Sequence, residues 1–335
     1  MNPTRVVDAH SHFIPANLVA RLRQGSGPTG SRIEVRAGVE WLVHSARLAY
    51  PLAPYFWDLE ARLESMDEDG IDAAVVSIAP PLFLYSLPAP EASEYCAAVN
   101  SAAAALVADA PDRLRALATL PMSDPTSAAA ELRAAVGELG LAGAEIGTSV
   151  GSLQLDHPRL APVWEAAEEL GVPVMLHPHR AMVEGPPAGM ERYYLANVVG
   201  NPVETTVAAS RLLLGGVFDR YPGLRVLLVH GGGFLPYQLG RLSHAYAEAP
   251  DVAADARRPP GKYLENLLID TVLFDEDALD FALRLVGEER VVFGTDQPFD
   301  MADRTTLPAL RDSGLDRAAI LAGNALRSFA PDGLS

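Results

Sequence analysis

Eight short, apolar, β-branched runs are spread along the chain, and each is followed by sequence of helical character. They are "RVVDAHSH" (5–12), "IDAAVVSIAP" (71–80), "RLRALATLP" (113–121), "LAGAEIGT" (141–148), "VPVMLHPH" (172–179), "LRVLLVHGGG" (224–233), "NLLIDTVL" (266–273) and "RVVFGTDQPF" (290–299). Strands that are apolar throughout, without a polar alternation, are buried on both faces, as parallel strands covered by helices are. The intervening helices have readable ends. In "SDPTSAAAELRAAVGELG" Asp124 is placed to cap, Pro125 takes the first helical position and a glycine closes the segment. "HPRLAPVWEAAEELG" also ends on glycine and leads straight into the next apolar run. Eight such units close into a (β/α)8 TIM barrel, with a doubly wound sheet as the alternative topology.

The 335 residues are expected to form one barrel domain, 1–335. Two connections are longer than the rest: an insertion or lid segment over 23–57 after the first strand, and a long loop over 178–203 after the fifth. Long loops in compact domains are usually functional, and both leave the C-terminal strand ends, where barrel active sites lie. The net charge of -17 argues against a nucleic-acid partner, which needs clustered Lys and Arg. Cys96 is the one cysteine, so no intrachain disulfide forms, and it reads as a small buried side chain. The first strand begins too close to Met1 for a signal or transit peptide, and no apolar run is long enough to span a bilayer, so a cytoplasmic protein with no membrane partner is expected.

The informative step is to place the ionisable residues on this barrel. His10 and His12 end strand 1, Glu145 lies in strand 4, His177 and His179 end strand 5, His230 ends strand 6 and Asp296 ends strand 8. Residues i and i+2 of a strand share a face, so each histidine pair converges on one rim. Any one of these histidines alone would read as a surface or core residue; together they make a joint pattern. Three imidazoles with one carboxylate suit Zn²⁺ or another divalent transition metal that keeps a position open for substrate. His44, His157 and His244 fall in loops or helices and are assigned no role.

An opening H-x-H, a mid-chain "LHP", a later "HGGG" and a "GTD-x-P" near the end resemble the amidohydrolase superfamily. More narrowly, their order and spacing resemble the branch of 2-amino-3-carboxymuconate-6-semialdehyde decarboxylase and related metal-dependent decarboxylases, over essentially the whole chain down to "ILAGNALRSF". The resemblance implies one divalent metal ion, Zn²⁺ or Mn²⁺, held by His10, His12, His177 and Asp296, with His230 as catalytic acid/base and Asp296 orienting it. It also implies a homodimer in which Arg241 reaches the substrate carboxylate of a neighbouring subunit, and it places Arg47 near a second carboxylate-binding arginine. Arginine pairs with a carboxylate bidentately, as lysine cannot.

Two departures bear on the substrate. After "LHP" the named decarboxylase has a tryptophan, whereas this chain has His179 and Arg180, which either contact substrate or begin the lid. The following segment also differs in its aromatic residues, with Asn197 and Glu204 expected near the pocket. Glu145 reads as a hydrogen-bonding partner behind the ligands, with a metal-bridging role as the alternative. The expected activity is metal-dependent decarboxylation of an aromatic or unsaturated carboxylic acid. The alternative is a hydrolase or hydratase of a related ring-derived acid, amide or lactone on the same barrel.

Overall fold

The computed structural model describes residues 5–45, 48–312 and 317–330. Its strands, in chain order, are β1 (Val7–Phe13), β2 (Arg32–Arg36), β3 (Val39–Val43), β4 (Ala49–Pro51), β5 (Ala73–Ile78), β6 (Leu114–Ala116), β7 (Ala118–Thr119), β8 (Ala144–Gly147), β9 (Val174–His177), β10 (Val226–Leu228), β11 (Leu267–Asp270) and β12 (Val291–Val292). Parallel ladders join β1 to β5 and β5 to β6, and then run unbroken from β7 through β12. β6 and β7 are one barrel strand interrupted at Leu117, whose N–H still donates to the Val76 carbonyl at 2.9 Å.

The barrel closes between its first and last strands. Ala9 N–H donates to Phe293 O at 2.8 Å, Asp296 N–H to His10 O at 2.8 Å and His12 N–H to Gln297 O at 2.7 Å. This seam is where the sequence expectation of a regular strand over 290–299 fails. Only Val291–Val292 lie in the ladder, because Asp296 adopts a left-handed backbone with φ 60 that no strand accommodates. His230 likewise does not end a strand. β10 stops at Leu228, and His230 sits in a tight turn over Val229–Gly232 with φ 56 and ψ 52.

The barrel interior below the rim is filled by Val7, Ala9, Val75, Leu117, Met175, Leu227 and Val292, and the helices pack outside the strands on a larger apolar shell. On β1, Val7 and Ala9 belong to the inner cluster but Phe13 to the outer one. Strict alternation would put all three on one side. The register between β1 and β5 slips between Asp8 and Ser11, and such a bulge re-aims the following side chains. That slip turns the two histidines of "DAHSH" inward. The capped helices behave as their ends suggest: Asp124 accepts from Thr126 N–H at 3.2 Å at the start of Pro125–Gly137, and Gly171 closes Ala161–Leu170 in the left-handed conformation.

The insertion contains structure that its loop-like sequence did not announce. β2, β3 and β4 form an antiparallel sheet, with Arg36 opposite Val39 and a two-residue turn at Ala37 and Gly38, both at positive φ (50 and 81). Such turns match the twist of a hairpin. The Tyr50 ring packs on Phe299 at 5.3 Å, Phe299 on His12 at 5.3 Å, and Phe56 on Phe299 at 5.3 Å. An aromatic column thus joins the insertion to the histidines. Arg47 lies outside the described residues.

Candidate metal centre and active site

Five side chains expected from sequence converge at the barrel mouth. His10 Nε2 lies 3.1 Å from His12 Nε2, and Asp296 Oδ1 lies 3.0 Å from His12 Nε2, 3.5 Å from His10 Nε2 and 3.8 Å from His177 Nε2. His230 Nε2 is 3.3 Å from Asp296 Oδ2. Potential ligand atoms of His10, His177, His230 and Asp296 all lie within 4.8 Å of one another. Every one of these residues except the part-buried His230 is almost wholly removed from water.

Hydrogen bonds behind the rings settle which nitrogens carry protons. His10 Nδ1–H donates to Asp270 Oδ2 at 2.7 Å, and His177 Nδ1–H donates to the Pro178 carbonyl at 2.7 Å, an oxygen that only accepts. The neutral rings would turn both Nε2 lone pairs toward Asp296, itself an acceptor. His177 Nε2 finds no hydrogen-bond partner. Burial opposes the charged form of His10, but Asp296 and Asp270 outweigh it and raise its pKa to about 9. Burial drives His12 down to about 4 and His177 well below its ordinary value. Burial would raise Asp296, yet the surrounding imidazoles, His10 first, hold it well below the carboxylate range. The cluster draws positive charge to its centre. One proton on His10 cannot satisfy acceptors on four sides, whereas a divalent ion with bonds of about 2.0–2.1 Å would be reached by all of them. The residues present fit a metal.

Asp270 holds the frame. Its Oδ2 accepts from His10 Nδ1 and from His230 N–H at 2.9 Å, and its Oδ1 accepts from Gly231 N–H at 2.7 Å and Val272 N–H at 3.1 Å. Such carboxylates orient metal-binding histidines. Asp270 escaped the sequence reading, although a charge inside the apolar run "NLLIDTVL" was a usable signal. Ser77 lies behind His12, with Oγ 3.2 Å from Nδ1. The buried Arg62 donates to the His12 carbonyl. Left-handed backbone at His230 and Asp296 costs about 1–3 kcal/mol each, and the Asp270 bonds to the His230 turn offset part of it.

The other expected residues are placed as follows. Glu145 is buried, with both oxygens unpaired, and burial raises its pKa well above the usual range. Its Oε1 lies 3.8 Å from His12 Nδ1, and potential ligand atoms of His12, Glu145 and His177 lie within 4.8 Å of one another. His179 is buried against Phe83 and Tyr85, and burial lowers its pKa to about 4. Arg180 is half-exposed and paired with Glu184 at 2.9 Å. Glu204 supports the loop after β9: its Oε2 accepts from the backbone N–H of His179 and Arg180, each at 3.1 Å. Asn197 is half-buried in the turn Ala196–Gly200. Arg241 is exposed on helix Leu235–Glu248.

The amidohydrolase family model, Amidohydro_2, matches residues 7–330. The chain belongs to the amidohydrolase family. It is 31% identical to a 2-amino-3-carboxymuconate-6-semialdehyde decarboxylase of Dictyostelium discoideum, over 97% of this chain and 92% of that one. It is 34% identical to a gamma-resorcylate decarboxylase of Rhodococcus jostii, over 82% of this chain and 88% of the relative. Among solved structures it resembles the dihydroxybenzoic acid decarboxylase of Polaromonas with bound manganese and the inhibitor 2-nitroresorcinol, with TM-score 0.75, 26% identity and 98% of each chain covered. The expected barrel and the expected metal-dependent decarboxylase both agree with these relatives. No described helix is long and apolar enough to cross a membrane.

Proposed function

We propose that this chain removes CO₂ from a ring-derived hydroxy acid, with one divalent ion, Zn²⁺ or Mn²⁺, held by His10, His12, His177 and Asp296, and with His230 as proton donor. The observation that carries the reading is the convergence of buried imidazoles on one carboxylate, with potential ligand atoms of His10, His177, His230 and Asp296 all within 4.8 Å of one another. When bound, the ion polarises a substrate oxygen and neutralises the acid's charge. In the reaction the bond from ring carbon to carboxyl carbon breaks, CO₂ leaves, and the electron pair remains on the ring carbon. His230 then delivers a proton to that carbon from Nε2, the nitrogen that faces Asp296 at 3.3 Å. Asp296 holds the imidazole in place and stabilises its charged form before transfer. The part-buried aromatic column from Tyr50 through Phe299 to His12 limits the access of bulk water to that step.

In this scheme Glu145 acts as a hydrogen-bonding partner beside His12, 3.8 Å from its Nδ1, and one ion is bound. The whole chain acts as one catalytic domain, with 23–57 as its lid, Arg180 and Asn197 at the substrate entrance and Arg47 as a carboxylate-binding residue. We assign a homodimer built on helices Asn201–Leu214 and Leu235–Glu248, which carry exposed Val203, Val207 and Tyr237 beside Arg241; Arg241 would complete the neighbour's pocket. The deciding experiment measures CO₂ release and water addition separately on a panel of hydroxybenzoates and unsaturated diacids. CO₂ release that is lost in His230→Ala with metal content unchanged supports the scheme. Water addition without CO₂ release, or full activity in the variant, overturns it.

A further inference from the structure

The His179 ring fills a slot that a side chain on β8 would otherwise occupy. An ideal Cβ on Gly147 would lie 2.3 Å from His179 Cε1 and 2.4 Å from its Nδ1, so only glycine fits beneath it. Gly147 follows Glu145 by two residues on the same face of β8, about 7 Å nearer the mouth. The imidazole therefore lies over Gly147, whose ladder partner is His177, on the mouth side of Glu145.

Its placement is fixed from several sides. The ring packs edge-on against Phe83 and Tyr85, with centroids 5.5 and 5.3 Å away. Tyr85 is itself anchored, its hydroxyl accepting from Gly147 N–H at 2.8 Å. Glu204 ties down the backbone of His179 and also accepts from the Thr148 hydroxyl at 3.0 Å. Yet the ring uses none of its polar capacity. The side chain makes no hydrogen bond among the described residues, its Nδ1 is buried without a partner, and the residue is only 5% exposed. Buried polar atoms are normally paired; Nδ1 is sealed against Gly147, so Nε2 is the ring nitrogen left for a ligand.

His179 lines a cavity of about 390 Å³ together with His44, Leu48, Tyr85, Met182 and Glu184. Its one described acidic lining residue, Glu184, is already paired with Arg180 at 2.9 Å. We propose that His179 determines substrate specificity by hydrogen-bonding a hydroxyl or amino group on the ring edge opposite the departing carboxylate, that edge being received by the cavity. The assignment of which edge faces the metal rests on the decarboxylase reading above.

The test compares ligands that differ only in that substituent. Non-reacting 2-nitrophenol and 4-nitroresorcinol are titrated calorimetrically into the metal-loaded protein, and kcat and KM are measured for 2-hydroxybenzoate and 2,4-dihydroxybenzoate. The wild type should favour the remote hydroxyl by about tenfold or more in Kd and KM, the worth of one hydrogen bond to a buried partner. His179→Phe keeps the aromatic packing and should erase the preference while retaining metal and 2-nitrophenol affinity. Gly147→Ala, which expels the imidazole from its slot, should do the same. A wild type without the preference, or a preference that survives in both variants, overturns the proposal. Discrimination between the nitro compounds with no CO₂ released from any acid would overturn the decarboxylase reading and leave the role of His179 standing.

Discussion

Asp270→Asn tests the frame of the site more sharply than removal of any ligand. The carboxylate is fully buried and accepts four hydrogen bonds, two on each oxygen. An asparagine keeps the volume but replaces one oxygen by an amide NH₂. If the amide oxygen faces His10 and His230, the NH₂ meets the N–H groups of Gly231 and Val272; the flipped amide opposes the other pair. Either orientation loses two bonds to a charged acceptor, each worth about 1.5–3 kcal/mol, so a loss of about 3 kcal/mol in folding stability is the lower expectation. With a urea slope of about 3 kcal/mol/M, the midpoint falls by about 1 M. Metal affinity should fall about 10–100-fold through misoriented His10, and turnover should fall further because the left-handed turn that presents His230 loses its anchor. Urea unfolding, metal titration against a chromophoric competitor and steady-state kinetics read the three effects. Metal affinity within threefold of wild type with an unchanged urea midpoint would refute the idea that Asp270 couples ligand to proton donor.

Three further outcomes are expected. Because His10 is raised to about 9 without a cation, it is protonated at pH 7, and metal binding must displace that proton. Binding measured in buffers of different ionisation enthalpy should release about one proton per ion from His10, with affinity rising as pH increases toward 9 and levelling above it; pH-independent binding with no proton release would contradict this. Glu145→Gln should keep one metal equivalent per chain and the native fold, since burial holds that carboxyl uncharged; loss of an equivalent by elemental analysis would show that Glu145 is a ligand. Cys96 is buried and its thiol is pushed up to about 12 by burial, so alkylation with iodoacetamide at pH 8 should require denaturant, as intact mass would show.

Much of this molecule is legible in its sequence because burial on two faces leaves a plain signature. All eight apolar runs became barrel strands or strand ends, and the "H-x-H" spacing put His10 and His12 side by side. The legibility stopped where tertiary contacts override local pattern. The inward aim of His10 and His12 depends on a register slip against β5 that no spacing rule contains. His230 and Asp296 were placed at strand ends, whereas both occupy left-handed backbone beyond them. The glycines of "HGGG" read as close packing, and Gly231, Gly232 and Gly233 do have positive φ (62, 75 and 63), but a run of glycines alone does not say which residue the turn presents. Gly147 gave no signal, since its meaning lies in a ring from another strand. The hairpin at Ala37 and Gly38 lacked the Asn-Gly or Asp-Gly pair that usually marks such a turn.

The seam between β1 and β12 bears on how the protein comes into being on the ribosome. His10 and Asp296 lie far apart along the sequence, and the backbones of their segments bond one another. A nascent or truncated chain that lacks the final strand has histidines but neither their shared carboxylate nor a closed wall. Assembly of the full proposed ligand set therefore waits for closure of that seam.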